Sequence, residues 1–527
     1  MATPHHRVVI VGTGFSGLGM AIRLAQRGDH DYVVLEKADE VGGTWRDNRY
    51  PGCACDVPSR LYSFSFAQYP GWSRDFATAG EIWSYLRRVA DRYAVRDRIE
   101  FGADLRAAEF DEATGRWTLT AGDGRRWTCD ALVLGAGALH EPKLPDLDGL
   151  ASFAGELAHT ARWPEGTELT GRRVGVVGTG ASAVQLVPEV APVAAHTTVF
   201  QRSAAWTMTK HDQEWSPSRQ RLFARWPALQ RLVRWRTYWS LEARAPLFVR
   251  LPGLARFVER IALRELAAAV PDPVTRAALT PDYRIGCKRI LLSNDYWPTF
   301  ARTDVSLVTD PIVRVEPDAV VTADGTRHEL DVLVLGTGFD VSGSTDRIDI
   351  RGLGGRSLAD AWSGGMHTNL GITVAGFPEL YLLLGPNTGL GHNSVVTMIE
   401  FATDYVLKAL DRGRTGPRVA TQRAQDAFTN EMVRRSRHTI WATGCRSWYL
   451  DRFGHNTALW PGSTVGYWLR TRRLDDSQFA PVARHPAATT TATAPTTVAT
   501  APTTVATAAP ATTPTSTPKE SVDAQGV

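Results

Sequence analysis

Apolar runs and polar breaks recur along this chain in two similar blocks. In the first, residues 8–11 are apolar at every position, which predicts a strand buried on both faces. It leads into Gly12-x-Gly14-x-x-Gly17, a helical stretch that stops at Gly28, and a second strand ending at Glu36. In the second block, RRVGVVG leads into Gly178-x-Gly180-x-x-Ala183, a helix, and the strand TTVFQR ending at Arg202. Strand, glycine turn and helix, twice over, predict an α/β fold with two Rossmann-like dinucleotide-binding domains. From about 211 to 287 the pattern becomes helical, with Pro217, Pro227, Pro246, Pro252 and Pro271 as helix boundaries. Residues 486–518 are nearly all Ala, Thr, Pro and Val, carry no charge and repeat ATAPTTV in tandem. Such a segment has too little apolar bulk to offset ordering entropy, so a disordered C-terminal tail is expected.

The two turns differ in one informative place. Gly12 makes the tight turn, Gly14 lets backbone approach a pyrophosphate, and Gly17 lets the helix pack on the strand, with the helix N-terminus receiving the phosphate charge. Glu36 stands nineteen residues past Gly17, where it can accept both hydroxyls of an adenosine ribose. Arg202 stands nineteen residues past Ala183, and a guanidinium there pairs with a 2′-phosphate. The same topological position thus holds an acid in one site and a cation in the other, which predicts FAD first and NADPH second. Gly178, Gly180, Ser182 and Gln185 complete the second candidate set. The expected layout is an FAD-binding domain over 1–155, resumed over 371–485, and an NADPH-binding domain over 165–210, resumed over 288–370. A helical insert occupies 211–287 and the tail 486–527.

Composition narrows the chemistry. The 527 residues exceed one ordinary core, and a net charge of +4 is too weak a bias to imply a nucleic-acid partner. Five cysteines do not make a disulfide framework, and no CxxC is present, so disulfide reductases drop out and a reducing compartment, the cytoplasm, is expected. Fewer than ten residues precede RVVIVG, leaving no room for a signal peptide, and apolar stretches such as LYLLLG fall short of a membrane span. The histidines show no grouping of metal-ligand spacing. A flavoprotein that takes electrons from NADPH and lacks a dithiol acceptor points to O2. Nothing in the pattern sets an oligomeric state.

Two motifs then carry a family resemblance. Phe153-x-Gly155-x-x-x-His159-x-x-x-Trp163-Pro164 resembles the Baeyer–Villiger monooxygenase fingerprint, and Gly42-Gly43-Thr44-Trp45, Tyr50-Pro51-Gly52 and Asp56 match a second pattern of that family. The resemblance continues through Gly286-Cys287-Lys288-Arg289, LGTGFD at 335–340 and GPNTGLGHNS at 385–394. It implies an enzyme that uses FAD, NADPH and O2 to convert a ketone to an ester or lactone through a flavin C4a-peroxide. It further implies that Arg289 keeps that peroxide anionic, that Asp56 orients Arg289, and that Thr44 and Trp45 belong to the FAD site. Lys288 would help Arg202 hold the 2′-phosphate, the two adjacent cations pointing to opposite faces of a strand. Trp448, in the stretch 447–462, would be the contact residue of a loop closing over nicotinamide and substrate. His159 is expected to act as a hinge or hydrogen-bonding residue on the linker. A flavin enzyme that oxygenates nitrogen or sulfur, and a non-catalytic flavoprotein, stand as alternatives.

Residues 216–270 hold eleven Arg and three Glu, with Trp226, Trp235 and Trp239 interleaved. The plain reading is a solvated helical face with aromatic core residues, to which the resemblance adds a wall of the substrate tunnel. Attachment to a membrane surface by a basic amphipathic helix is a competing reading.

Overall fold

The computed structural model describes residues 3–249, 252–341, 347–445 and 447–482. The expected tail lies outside the described residues. Two sheets organise the rest, and each is built on one of the two glycine turns.

In the first sheet, His5–Val11 runs parallel to Tyr32–Leu35 on one side and to Arg126–Leu134 on the other, with Val9 level with both Val33 and Leu132. Every residue of Tyr32–Leu35 is buried, as are residues 8–11, because both faces are covered: helices pack on one, while Val9, Val11, Val33 and Leu35 on the other pack with Leu105, Phe110, Trp117, Leu119 and Phe377. The helix Phe15–Gln26 covers one face together with Val395–Gly413. Leu105–Asp111 and Arg116–Ala121 extend the sheet antiparallel, and their alternating burial marks strands half-facing solvent.

The second sheet is wholly parallel, in the order Val305–Val308, His196–Phe200, Arg173–Val177, Val332–Leu335, Glu156–His159. Its helix Ala181–Val190 returns along the sheet between Arg173–Val177 and His196–Phe200. The expected second NADPH segment, 288–370, runs too far: Asp349–Arg351 pairs with Leu105–Asp111 in the first sheet. Leu380–Leu382 also joins that sheet, beside Arg126–Leu134.

The helical insert leaves the second sheet through Thr207–Met208 and returns through Leu291–Leu292, which pair in parallel and close its neck. Pro217 and Pro227 each occupy the first turn of a helix, Pro217–Arg225 and Pro227–Glu242, where a missing N–H costs nothing. The helix Ala255–Ala269 stops just before Pro271. One expectation is corrected here. Trp226, Trp235 and Trp239 are not core residues but stand 60%, 61% and 44% exposed.

Candidate active site

Both glycine turns are close approaches of backbone to backbone. Gly12 has φ +91°, and a Cβ there would lie 2.8 Å from the Gly135 carbonyl oxygen. Gly178 repeats this at φ +112°, with 2.6 Å to the Gly336 carbonyl oxygen. Only glycine meets both demands. A Cβ on Gly17 would overlap the Gly12 carbonyl oxygen, so the helix packs directly on its own turn.

Gly14 and Gly180 cap the following helices without any side-chain bond to the first-turn N–H groups, and neither first turn contains an acid. Those N–H groups are available to an anion. At Gly14 the nearest obstacle to a Cβ is the Cα of Gly43, 3.9 Å away, and at Gly180 nothing lies within 4 Å. Both helix ends therefore fit a pyrophosphate. Gly42 donates its N–H to the Thr13 carbonyl at 3.1 Å, which sets the short helix Thr44–Asp47, and with it Thr44 and Trp45, against the first turn. The Trp45 indole N–H reaches the Tyr62 hydroxyl at 3.3 Å.

Glu36 is buried, and its carboxylate is more heavily engaged than the sequence suggests. One oxygen accepts from the Thr13 backbone N–H at 2.9 Å and the Thr13 hydroxyl at 2.6 Å. The other accepts from the Ala38 N–H at 3.0 Å and from Arg46 at 3.1 Å. A ribose hydroxyl bonding here must share or replace one of these donors.

In the second site Arg202 is exposed just past the strand His196–Phe200, and Lys288 donates to the Ser203 hydroxyl at 3.3 Å. Burial lowers the Lys288 pKa and the charge of Arg202 lowers it further, against Asp282, so the two cations face a common space. Lys288 and Arg289 lie in a bend after Gly286, not in a strand as expected; the strand begins at Leu291. They nonetheless reach different partners. Gln185 is engaged with the protein: its amide oxygen accepts from the Tyr50 hydroxyl at 2.8 Å and one amide N–H donates to the Ala54 carbonyl at 2.9 Å, leaving the second N–H for a cofactor. It clamps the second fold to the loop of the first.

Between the two folds, Arg289 grips Asp56 in a two-pronged pair, Nε to Oδ2 and Nη2 to Oδ1, each at 2.6 Å. The two come from opposite folds, 233 residues apart. Burial works against the Asp56 charge, but Arg289 outweighs it and holds the carboxyl below its usual range, while Asp56 raises the guanidinium pKa. The Arg289 side chain is 36% exposed and that of Asp56 21%, so the guanidinium keeps a free edge. Tyr449 lies close enough to Arg289 to feel its charge: burial pushes the phenol up to about 12, with Arg289 pulling the other way. Trp448 beside it is 50% exposed, its ring 4.6 Å from that of Tyr449.

The cysteine reading is corrected. Cys287, next to Lys288, forms a disulfide with Cys445, so the Arg289 segment is bonded to the start of the stretch that carries Trp448 and Tyr449. The pair is 158 residues apart, and nothing in the spacing announces it. Cys53, Cys55 and Cys129 are free thiols. His159 ends the strand Glu156–His159: its Nδ1 accepts from the Ala161 N–H at 3.0 Å and its Nε2 meets the Thr337 hydroxyl at 3.2 Å. Both ring nitrogens are engaged, and burial lowers the pKa of the ring. No metal-binding cluster occurs among the described residues.

Similarity to known proteins agrees with this geometry. Residues 5–234 match the flavin-binding monooxygenase-like family model. A Baeyer–Villiger monooxygenase of Streptomyces coelicolor is 44% identical over 92% of this chain and 94% of its own length. One from Pseudomonas aeruginosa is 41% identical over 91% of this chain and 92% of its own. Among solved structures, an oxidized steroid monooxygenase bound to NADP superposes with a TM-score of 0.82 at 31% identity, covering 91% of this chain and 99% of that one. The closed form of cyclohexanone monooxygenase gives the same TM-score at 27% identity, with 91% and 99% covered. With two glycine-turn folds meeting at Asp56 and Arg289, and relatives alike over nearly the whole length, the chain belongs to the Baeyer–Villiger monooxygenase family.

Proposed function

We propose that this enzyme uses FAD, NADPH and O2 to insert one oxygen atom beside a ketone carbonyl, giving an ester or lactone, with Arg289 as its catalytic residue and Asp56 as the residue that positions it. The observation that carries this reading is the two-pronged Asp56–Arg289 pair at the junction of the two dinucleotide folds. Bound flavin supplies electron storage and the activation of O2. The protein's part is electrostatic. A guanidinium never gives up its proton, so Arg289 cannot quench a developing negative charge by protonating it, yet it stabilises that charge with preorganised N–H groups. Asp56 occupies part of its donor edge and fixes the direction of the rest.

Gly12, Gly14 and Gly17, with Glu36, Thr44 and Trp45, hold the FAD in this reading. Gly178, Gly180 and Ser182 hold the NADPH pyrophosphate, Arg202 and Lys288 its 2′-phosphate, and Trp448 covers the nicotinamide side. The FAD-binding part comprises the first sheet, and the NADPH-binding part the second sheet with the helical insert nested in it.

The test is Arg289→Ala in the FAD-loaded enzyme. NADPH consumption persists and ester formation falls by about 10²–10³. An ester yield per NADPH equal to that of the wild type would remove Arg289 from its assigned role.

A further inference from the structure

We propose that the outer face of the helical insert is a docking surface for an anionic lipid bilayer, on which the enzyme rests peripherally. This goes beyond the oxygenation reaction and does not depend on it.

The helix Pro227–Glu242 packs Leu229 and Val233 on the core but leaves larger apolar side chains on its outer face. Its inner face holds polar groups in specific bonds: Gln230 donates to the Tyr69 carbonyl at 2.7 Å, Arg234 to the Arg60 carbonyl at 2.8 Å, and Glu242 accepts from Asn393 at 2.9 Å and Thr464 at 2.5 Å. Its outer face instead carries Leu232, Trp235 and Trp239, 58%, 61% and 44% exposed, at helical spacing. Trp226, at the joint with the preceding helix, is 60% exposed and Leu222 in that helix 45%. Indole rings of this kind, apolar with one N–H, settle at the boundary between headgroups and acyl chains.

The charge on this face identifies the partner. Arg221, Arg225, Arg231 and Arg236 are exposed on the same two helices, and among the described residues none of them has an acidic partner, whereas Arg219 and Arg234 pair with Asp75 and Glu400. The helices Pro217–Arg225 and Pro227–Glu242 contain one acid, Glu242, and it is buried. Interleaved arginine and tryptophan with no exposed acid match a negatively charged lipid surface, the guanidiniums meeting phosphates while the rings enter the interface. A second copy docking face to face would set these unpaired guanidiniums against their own counterparts, which the like charges oppose. No helix among the described residues is long and apolar enough to cross a membrane, so the contact is with the surface.

The experiment is co-sedimentation of the full-length, FAD-loaded protein with phosphatidylcholine vesicles, with and without phosphatidylglycerol. The wild type pellets with the anionic vesicles about ten-fold more than with the neutral ones, its tryptophan emission shifts to the blue, and high salt releases it. The triple variant W226S/W235S/W239S loses the pelleting about ten-fold while retaining NADPH oxidation, since those side chains already face water. The variant R221Q/R225Q/R231Q/R236Q loses the preference for anionic vesicles. The proposal is overturned by equal pelleting with both vesicles, by no pelleting, or by pelleting of the tryptophan variant at the wild-type level. A concentration-dependent dimer abolished by the tryptophan variant, with no lipid binding, would assign the face to a second copy and overturn it as well. So would binding of single-stranded RNA in place of vesicles.

Discussion

The strongest electrostatic choices in this enzyme are made at single residues. Lys288 feels the charges of both Arg202 and Asp282, and two neighbouring cations suit a dianionic 2′-phosphate. Arg202→Ala or Lys288→Ala therefore raises KM for NADPH roughly 10- to 100-fold and leaves KM for NADH nearly unchanged, as steady-state kinetics with both coenzymes will read. Unchanged discrimination in both variants would refute the assignment. The proposed place of Arg202 is legible because it follows a strand at a fixed distance from a glycine turn, and those of Asp56 and Arg289 because each sits in a local motif. Tyr449 and the four donors on Glu36 are not, since a contact between distant segments leaves no local trace. Glu379 belongs to the same hidden class: burial pushes its carboxyl to about 7, against the help of the Tyr381 hydroxyl and the Arg418 N–H. Its ordinary value is 4.5, so between pH 4.5 and 7 the folded state binds more protons than the unfolded chain. Stability falls as pH rises through that window, by about 3 kcal/mol in all if the group acts alone. Glu379→Gln removes that slope, and melting curves of the two proteins converge at low pH and separate above pH 7 in favour of the variant.

At the scale of elements, the glycine turns were legible because only glycine accepts the positive φ and close approach at Gly12 and Gly178, and Pro217 and Pro227 because proline suits the first turn of a helix; Pro188, inside Ala181–Val190, shows that proline alone does not mark an end. The strand Asp349–Arg351 was assigned to the wrong sheet because three residues hold no period to read. The disulfide was missed for a different reason: its partners share no motif, only a fold. It ties the Arg289 segment to the stretch bearing Trp448 and Tyr449, so its loss frees an element and not merely a bond. A cross-link spanning 158 residues restricts the unfolded chain and contributes roughly 2–5 kcal/mol. Thiol titration in denaturant gives three thiols per chain before reduction and five after it. Reduction, or Cys445→Ser, lowers the melting temperature and exposes residues 447–462 to proteolysis. Five thiols before reduction would refute the bond.

For the molecule as a whole, the chemistry depends on how the two dinucleotide folds meet, because Asp56 and Arg289 belong to different folds. The meeting point is set by backbone as much as by charge. Gly52 has φ +77°, and a Cβ there would lie 2.5 Å from the Gln185 carbonyl oxygen and 2.9 Å from Glu189 Cγ. One side of this contact is the loop that leads to Asp56, and the other is the helix Ala181–Val190 at the second site. Gly52→Ala must both strain a left-handed residue and push the helix away, at a cost of about 1–3 kcal/mol. The displacement passes to Asp56, four residues on, and misdirects Arg289, so ester formed per NADPH consumed falls while NADPH binding survives. Gly80→Ala is the matched control: it lies in the helix Ala79–Arg92 with nothing within 4 Å of its Cβ position and is neutral or slightly stabilising. If Gly52→Ala matches Gly80→Ala in melting temperature and in coupling, the contact between the folds does not set the geometry of the pair. If only coupling falls, the two folds hold together by other contacts, and this one serves alignment alone.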